Sequence, residues 1–364
     1  GLGVTIYNRL VEIFKGGSKP SMDEMLQESD RHLENFDSLI LPAPESKPRT
    51  PFNSDVPVEE VSMANLTTRQ KLTVLPKALP LFANMQRGAR MYDGTFQPTK
   101  HEVTPEFIAD IEKLARNMGA KDIGYVKVPR NAIFQGKGLP YDNAILFTVE
   151  MDKEPIDISP SFESQAEVMD GYKRMSIISR KLAGHLRKHG YAAYPGMALG
   201  GITDYVYLAE LAGLGAVGYH GLLISPREGA RLRINTIYTN ITNLPTPQVT
   251  GEANEHLWVR DFCAMCKKCV RQCPVDAIFD EPQPRGDGGM QTIEHAACRD
   301  YFTRNYGCAV CLAICPFSQS GYAKIKSRFK GNPNAPQFLI PGTMLPLEQI
   351  TLNGSTKVRE AWPV

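Results

Sequence analysis

All eight cysteines of this chain lie between residues 263 and 315, in two closely spaced runs. The runs are Cys263-x2-Cys266-x2-Cys269-x3-Cys273-Pro274 and Cys298-x9-Cys308-x2-Cys311-x3-Cys315-Pro316. Three thiolates on a tight loop reach three corners of a [4Fe-4S] cluster, and the fourth, turned outward by the following proline, ligates the neighbouring cluster. The spacing therefore predicts two clusters with crossed ligands, one held by Cys263, Cys266, Cys269 and Cys315, and the other by Cys273, Cys298, Cys308 and Cys311.

Zinc and disulfide bonds are the alternatives for so many cysteines. Structural zinc sites usually combine two Cys-x2-Cys pairs into four ligands, and disulfide frameworks belong to small secreted domains. Neither alternative fits two runs of four cysteines in a chain of 364 residues as well as iron–sulfur clusters do. The chain is therefore expected to transfer electrons, and the residues outside the cysteine runs decide whether it also uses them.

Length and composition leave room for such a second function. The chain has 42% hydrophobic residues, enough for a large core, and its length suggests about two domains. Its 41 basic and 39 acidic residues give a net charge of +2, so nothing indicates nucleic acid as a partner. No apolar run is long enough to span a bilayer, and residues 1–17 lack a signal-peptide pattern. Because the chain starts without methionine, we expect a trimmed form whose targeting segment has been removed.

Hydrophobic periodicity predicts helices alternating with strands, hence an α+β fold. Residues 1–100 are typical of a wrapping segment, with helices over 22–35 and 69–91 on either side of a proline-rich connector. The elements that follow are predicted as a helix over 104–119 capped by Thr104, strands over 123–128 and 144–151, a long helix over 162–189, a strand over 191–194, a helix over 204–212, and a hairpin of 221–225 with 231–240. The expected domains are a wrapping segment (1–100), a core (101–250), an iron–sulfur domain (251–325) and a wrapping tail (326–364).

One motif is set aside. Residues 213–218 read Gly-Leu-Gly-Ala-Val-Gly, which matches the dinucleotide fingerprint G-x-G-x-x-G. That fingerprint binds phosphate only when it follows a strand and opens a helix, and here it follows a predicted helix. Residues 236–240 also contain no acidic residue for a ribose. We interpret the segment as a flexible turn.

These features together resemble the reductive dehalogenases, corrinoid and iron–sulfur enzymes of organohalide respiration. The resemblance covers about residues 100–325 and is most specific in the two cysteine runs, in His189-Gly190-Tyr191 after a long helix, and in the blocks 212–215, 221–226 and 231–234. It implies a nitroreductase-like corrinoid-binding core followed by a ferredoxin-like domain with two [4Fe-4S] clusters. It also implies a twin-arginine signal removed from the mature protein, a peripheral location on the outer face of the cytoplasmic membrane, a small membrane-anchor protein and a respiratory electron donor.

The resemblance assigns roles to particular residues. Tyr172 corresponds to the family's proton donor and Arg233 to the arginine that stabilises its phenolate. Strand alternation supports this, because it sends Arg233 and Asn235 to one face and Leu232, Ile234 and Tyr238 to the other. Without the resemblance, the position of Tyr172 on the apolar stripe of its helix would favour a core tyrosine over a catalytic one. The implied corrinoid contacts are Gly200, Gly201, His220, Ser225, Ile234 and Thr236.

The chain departs from the family at one point and lacks one cobalt-binding motif. Gly200-Gly201 stands where relatives often have Asn-Asp, which removes polar contacts to the substrate and predicts a roomier or more apolar pocket. The motif Asp-x-His-x-x-Gly is absent, since Asp30-Arg31-His32 is followed by Asn35 instead of glycine. A base-off corrinoid without a histidine ligand is therefore expected.

The expected activity is replacement of halogen by hydrogen in a small chlorinated aliphatic compound. Two other hypotheses remain. Epoxyqueuosine reductase shares the corrinoid and the two clusters but acts on tRNA, and usually has a basic surface and a helical-repeat tail. A subunit that only relays electrons would contain the clusters and no active site.

Overall fold

The computed structural model describes residues 30–51, 55–285 and 289–331. Its centre is a four-stranded antiparallel sheet with helices on both faces, and two small two-stranded sheets lie outside it. The strands are β1 (Ile123–Lys127), β2 (Asn143–Glu150), β3 (Ala193–Pro195), β4 (Ala216–Val217), β5 (Leu223–Ile224), β6 (Leu232–Thr239), β7 (Ile278–Pro284) and β8 (Met290–Ile293). The order in the central sheet is β1-β2-β6-β3.

The helices vary from single turns to one of 27 residues. They are α1 (Thr68–Ala89), α2 (Pro105–Asn117), α3 (Lys153–Asp157), α4 (Phe162–Lys188), α5 (Tyr205–Leu211), α6 (Pro247–Thr250), α7 (Trp258–Cys266), α8 (Lys268–Arg271), α9 (His295–Arg304), α10 (Val310–Ala313), α11 (Pro316–Gln319) and α12 (Tyr322–Gly331). Short 3-10 helices cover Arg31–Asn35, Val58–Glu60 and Arg130–Ala132.

The main predicted helices are confirmed, and their first turns explain where they begin. Thr104 caps α2 by accepting a hydrogen bond from the backbone of Phe107. Ser161 caps α4 in a reciprocal capping box with Ser164. The predicted strands over 123–128 and 144–151 correspond to β1 and β2. The predicted helix over 22–35 lies mostly outside the described residues, as does the predicted tail beyond residue 331.

Helix α4 crosses one face of the sheet and places its side chains over β2 and β6. Ile145, Phe147 and Val149 alternate along β2 and share a core with residues of α4 such as Met175 and Ile178. The intervening residues of β2 point to the opposite face and pack with residues of β6 and α5. Both faces of β2 are therefore buried, as expected for a central strand.

The predicted hairpin of residues 221–225 with 231–240 is wrong. Strand β5 pairs with β4 instead, with Ala216 opposite Ile224. Strand β6 pairs with β2 along its whole length and with β3 at residues 237–239. The segment 213–218, interpreted above as a turn, therefore includes a short strand.

The cysteine region packs directly against the end of the central core. Trp258, Phe262, Phe317 and Phe329 form an aromatic centre, with the Trp258 indole donating to the Tyr322 hydroxyl at 2.9 Å. The same hydrophobic cluster includes Met151, Val168 and Ala216 from the preceding part of the chain. Cysteines and sheet are thus joined by a continuous apolar interior. Among the described helices, none combines the length and apolar character needed to cross a bilayer.

Candidate functional site

Tyr172 and Arg233 meet where α4 crosses β6. The guanidinium carbon of Arg233 lies 4.6 Å from the centroid of the Tyr172 ring. Such a cation–π contact contributes about 0.5–2 kcal/mol, more as water is excluded. Both side chains are half-buried, and Tyr172 touches the sheet core as well as the cluster that holds the cysteines. The two residues expected to act together are therefore adjacent, at the boundary between these two cores.

Gly171 makes this approach possible, and its role was not predicted from the sequence. A Cβ atom at position 171 would lie 3.2 Å from Cγ of Arg233 and 3.5 Å from Cγ of Met151. Glycine inside a helix costs about 1 kcal/mol relative to alanine, so a glycine within a long helix usually has a packing reason. That cost is the signal that could have identified Gly171 as the residue that admits the arginine.

The predicted alternation along β6 is confirmed. Asn235 faces α4 like Arg233, and its amide reaches the backbone oxygen of Met175 at 3.5 Å. Leu232, Ile234 and Tyr238 lie in the core on the opposite face of the sheet. The side of β6 that carries Arg233 therefore faces the helix that carries Tyr172.

The loop before α5 contains Gly200 and Gly201, where a roomier pocket was predicted. Gly200 has a φ of +73°, and its carbonyl oxygen accepts a hydrogen bond from Arg49 at 3.0 Å. A Cβ atom at Gly201 would lie 2.6 Å from Cζ of Tyr205. The expectation of extra space is wrong at Gly201, because the tyrosine ring occupies the volume next to the missing side chain.

His220 is buried with only one ring nitrogen bonded. Its Nδ1 accepts from the backbone N–H of Leu222 at 3.2 Å, which in a neutral ring leaves the proton on Nε2. Burial lowers the pKa of His220 to about 4, so the ring is neutral at pH 7. Nε2 is buried and has no partner among the described residues. His220 thus presents a hydrogen-bond donor, not a lone pair for a metal.

The other expected corrinoid contacts are already engaged within the fold. The Ser225 hydroxyl donates to the Glu228 carboxylate at 2.5 Å, and the Thr236 hydroxyl donates to the backbone oxygen of Ile145 at 3.3 Å. Ile234 lies in the apolar core of the sheet. Their assignment as corrinoid contacts stays a prediction, and of these residues His220 retains the unpartnered polar atom.

The eight cysteines are free thiols and lie in two adjoining electrostatic groups. Burial raises the pKa of the Cys263 thiol most, and the neighbouring thiols of Cys315 and Cys266 raise it further. Burial and then Cys273 raise the pKa of Cys298 to about 11. Cys315 therefore lies with the first run and Cys273 with the second, as the crossed arrangement requires. Within the described part of the chain, no three His, Cys, Asp or Glu side chains converge as they would on a single metal ion.

The two groups are not equally deep. Cys263, Cys266 and Cys315 are buried, whereas Cys269 and all four cysteines of the other group are partly exposed. The backbone N–H of Tyr219 donates to the Cys263 sulfur, so the turn that carries His220 touches the deeper group. Asp261 is also buried here, and burial raises its pKa to about 7. The sequence contains no local signal for this carboxyl group.

A corrinoid needs hydrogen-bond partners for its amide side chains, and the chain offers them. Several polar atoms on α4, on the turn after β4, on β6 and on α9 are buried without a partner among the described residues. These atoms are Gln165 Oε1, His220 Nε2, Arg233 Nε, Arg299 Nε and Asp300 Oδ1. Donors and acceptors are both represented among these atoms, which is the chemistry that such a group requires.

Comparisons with known proteins agree with this chemistry. A family model described as a 4Fe-4S binding domain matches residues 256–279, which include the first cysteine run. A tetrachloroethene reductive dehalogenase of Desulfitobacterium hafniense is 32% identical over 228 residues, covering 58% of this chain and 39% of that protein. Another, from Sulfurospirillum multivorans, is 29% identical over 187 residues, covering 49% and 36%. An epoxyqueuosine reductase of Francisella cf. novicida is 34% identical over 128 residues, covering 32% of each.

Solved structures share the fold. A reductive dehalogenase described with a mechanism for B12-dependent dehalogenation matches with a TM-score of 0.60 and 19% identity, covering 86% of this chain and 50% of that one. The catabolic reductive dehalogenase NpRdhA matches with a TM-score of 0.59 and 19% identity, covering 81% and 46%. The chain spans half or less of the length of these relatives. Over the region that aligns, the chain is homologous to the reductive dehalogenases.

Proposed function

We propose that this chain carries the catalytic core and the electron-transfer region of a corrinoid-dependent reductive dehalogenase, an oxidoreductase. The observation that carries the proposal is the stacking of Arg233 on Tyr172 at the boundary between the sheet core and the cysteine region. Homology to tetrachloroethene reductive dehalogenases supports it.

The reaction replaces a carbon–halogen bond by a carbon–hydrogen bond. It consumes two electrons and one proton and releases a halide ion. A bound corrinoid would supply the reducing centre, in the base-off form without a histidine ligand, and iron–sulfur clusters would supply its electrons. Gln165, His220, Arg233, Arg299 and Asp300 would provide the hydrogen bonds that hold it, through the unpartnered atoms described above.

Tyr172 would deliver the proton from its hydroxyl to the carbon that loses the halogen. The phenolate left behind carries a negative charge, and the Arg233 guanidinium over the ring stabilises that charge. Gly171 keeps the arginine in place because it has no side chain to displace it. Tyr172 and Arg233 therefore act as one unit.

Two [4Fe-4S] clusters would use all eight cysteines in the crossed arrangement. The deeper group contains Cys263, which the N–H of Tyr219 contacts beside His220. We therefore propose that the cluster of this group passes electrons to the corrinoid. The partly exposed group would receive them from the respiratory donor.

For the substrate we propose a small chlorinated aliphatic compound, in line with the relatives named for tetrachloroethene. A solved structure of NpRdhA contains 3-bromo-4-hydroxybenzoic acid, so halogenated phenols belong in the same screen. The membrane-anchor partner and the location on the outer face of the membrane remain predictions that go with this function.

Halide release by the purified, reduced protein tests the proposal. The protein reconstituted without oxygen should contain about one corrinoid and about eight iron atoms per chain, and should release chloride from chlorinated ethenes. A visible spectrum with cluster absorption and no corrinoid bands after reconstitution would leave the electron relay as the function. Reduction of epoxyqueuosine in tRNA without halide release would favour the epoxyqueuosine reductases.

A further inference from the structure

Two histidines lie one turn apart at the C-terminal end of α4. His185 is half-buried and His189 is exposed, and the centroids of their rings are 4.4 Å apart. His189 directly follows α4, and its backbone N–H still donates to the oxygen of Leu186 at 3.0 Å, so it continues the helical turn. Residues i and i+4 of a helix share one face, which is the spacing of the two zinc-binding histidines in the motif H-E-x-x-H. The two imidazoles therefore stand side by side with access to solvent.

A hydrogen bond determines which ring nitrogen of His189 carries the proton. Nδ1 lies 2.9 Å from the backbone oxygen of His185, and because a carbonyl oxygen only accepts, Nδ1 is the donor. The neutral ring then keeps its lone pair on Nε2. Metal-binding histidines are usually oriented in this way, by donation from the other ring nitrogen to a carbonyl or carboxylate oxygen. His189 is therefore prepared to act as a ligand through Nε2.

Phe107 of α2 packs against both imidazole rings. It stacks on His185 with ring centroids 5.8 Å apart and an angle of 14° between the planes, and it contacts His189 with centroids 4.9 Å apart. Tyr191 stacks on Phe107 in turn, at 5.4 Å. Side chains that packing already holds lose less conformational entropy when they bind a ligand. The pair is therefore ordered by an aromatic cluster that joins α2 to the end of α4.

The charges around the pair also suit a cation. A helix C-terminus carries partial negative charge, and His185 and His189 occupy the last turn of α4 and its C-cap. Burial, and then the neighbouring His189, lowers the pKa of His185, so this ring is neutral at pH 7 and can donate a lone pair. Asp110 lies one turn beyond Phe107 on the same face of α2, and its negative charge opposes the positive charge of Lys188.

We propose that His185 and His189 bind one divalent transition-metal ion, such as Zn²⁺ or Ni²⁺, at the C-terminal end of α4. Among the described residues no third histidine, cysteine or carboxylate converges on the pair, so water completes the coordination. Asp110 adds negative charge beside the ion. The site is separate from the cysteines and takes no part in the reaction proposed above, so it does not depend on that function.

Titration of the full chain with Ni²⁺ tests the site. The clusters are first reconstituted without oxygen, so that the cysteines are occupied, and binding is measured by calorimetry. The wild type should bind about one Ni²⁺ per chain. His185→Gln and His189→Gln should each weaken that binding about tenfold or more, because each removes one of two protein ligands. Iron content before and after the titration shows whether Ni²⁺ has displaced iron from the cysteines.

His101→Gln is the matched control. His101 is exposed as well, but it has no second histidine three or four residues away and its Nδ1 contacts the Asn240 amide at 2.9 Å, so this variant should bind Ni²⁺ like the wild type. Lys188→Gln should bind Ni²⁺ more tightly, because it removes a positive charge beside His185. Unchanged affinity in both His185→Gln and His189→Gln would overturn the inference, as would a wild type that does not bind Ni²⁺ stoichiometrically or that loses iron as it takes up Ni²⁺.

Discussion

The helix–sheet region around Tyr172 and the cysteine region differ in how far their own side chains complete them. Around Tyr172, Arg233 covers the ring and the Asn235 amide reaches the α4 backbone. In the cysteine region, free thiols crowd one another, and both carboxylate oxygens of Asp261 are buried without a partner among the described residues. The first region is held by contacts within the chain, whereas the second brings together thiols and a carboxyl group that all become negative when they ionise.

The thiols of the cysteine region are shifted towards their neutral form. Burial and neighbouring cysteines raise the pKa of Cys269 well above its usual value, and burial raises that of Cys315 to about 12. Thiolates are the ligands of iron, so a bound cluster would hold these sulfurs in their ionised form. Binding of iron and folding of this region should therefore be coupled, and folding of the sheet should not depend on iron to the same degree.

The largest expected effect is that removal of iron loosens the cysteine region selectively. After chelation under reducing conditions, backbone amides of α7 and α10 should exchange with deuterium about 10³-fold faster or more, while those of β2 and β6 remain protected. Hydrogen exchange followed by mass spectrometry measures both regions in one sample. Equal loss of protection in the sheet would show that the two regions form one cooperative unit, which their shared hydrophobic cluster would then explain.

Substitution of single cysteines sharpens the comparison within the cysteine region. Cys315→Ser should damage the cluster of the first run, and Cys273→Ser that of the second, each lowering iron from about eight to about four atoms per chain. Electron paramagnetic resonance of the reduced variants identifies the remaining cluster. If each substitution affected the cluster of its own run, the crossed arrangement would be wrong.

Removal of the Tyr172 hydroxyl tests the helix–sheet region. Tyr172→Phe keeps the ring under Arg233, so stability, iron content and corrinoid binding should stay unchanged while halide release falls about 10²-fold or more. Steady-state halide release under anaerobic conditions gives the rate. Tyr141→Phe is the control, because this tyrosine packs against the core on the opposite face of the sheet. Near-full turnover of Tyr172→Phe would make Tyr172 a core residue only.

Replacement of Arg233 should have a smaller effect. Arg233→Lys keeps the positive charge and loses the planar group that stacks on the ring, so we expect about a tenfold loss of rate. Gly171→Ala should act in the same direction, because its Cβ would contact Cγ of Arg233 at 3.2 Å. If Gly171→Ala changed thermal stability but not the rate, the glycine would serve packing alone.

Features that depend on neighbouring residues in the sequence could be predicted, whereas features that depend on tertiary contacts could not. Alternation placed Arg233 and Asn235 on the same face of β6, and a side-chain period of two needs no tertiary information. The pairing of β5 with β4 could not be predicted, since each strand has two residues and no pattern can be detected in so short a segment. The Tyr205 ring beside Gly201 was missed for another reason: the turn between them folds the chain back on itself.

The smallest expected effect concerns the buried carboxyl group of Glu228 in the helix–sheet region. Burial raises the pKa of Glu228 to about 7, and the nearby carboxylates of Asp122 and Glu150 act in the same direction. One of its oxygens accepts from Ser225, and the carboxyl group also hydrogen-bonds the Asp122 carboxyl group.

Because the pKa of Glu228 is raised on folding, the folded state prefers the protonated form. Below about pH 4.3, the ordinary value, Glu228 is protonated in both states and does not change the free energy of unfolding. As pH rises to about 7 its raised pKa lowers the free energy of unfolding increasingly, and above that pH the loss stays constant. Glu228→Gln removes the charge and keeps an oxygen for Ser225. The variant should therefore be more stable than the wild type by about 2 kcal/mol at pH 8 and nearly equal at pH 4.5. Urea unfolding at both values, with the exposed Glu154→Gln as control, measures this difference. If the difference in unfolding free energy between Glu228→Gln and the wild type did not change with pH, Glu228 would not take up a proton on folding. The helix–sheet region would then hold this carboxylate in its charged form.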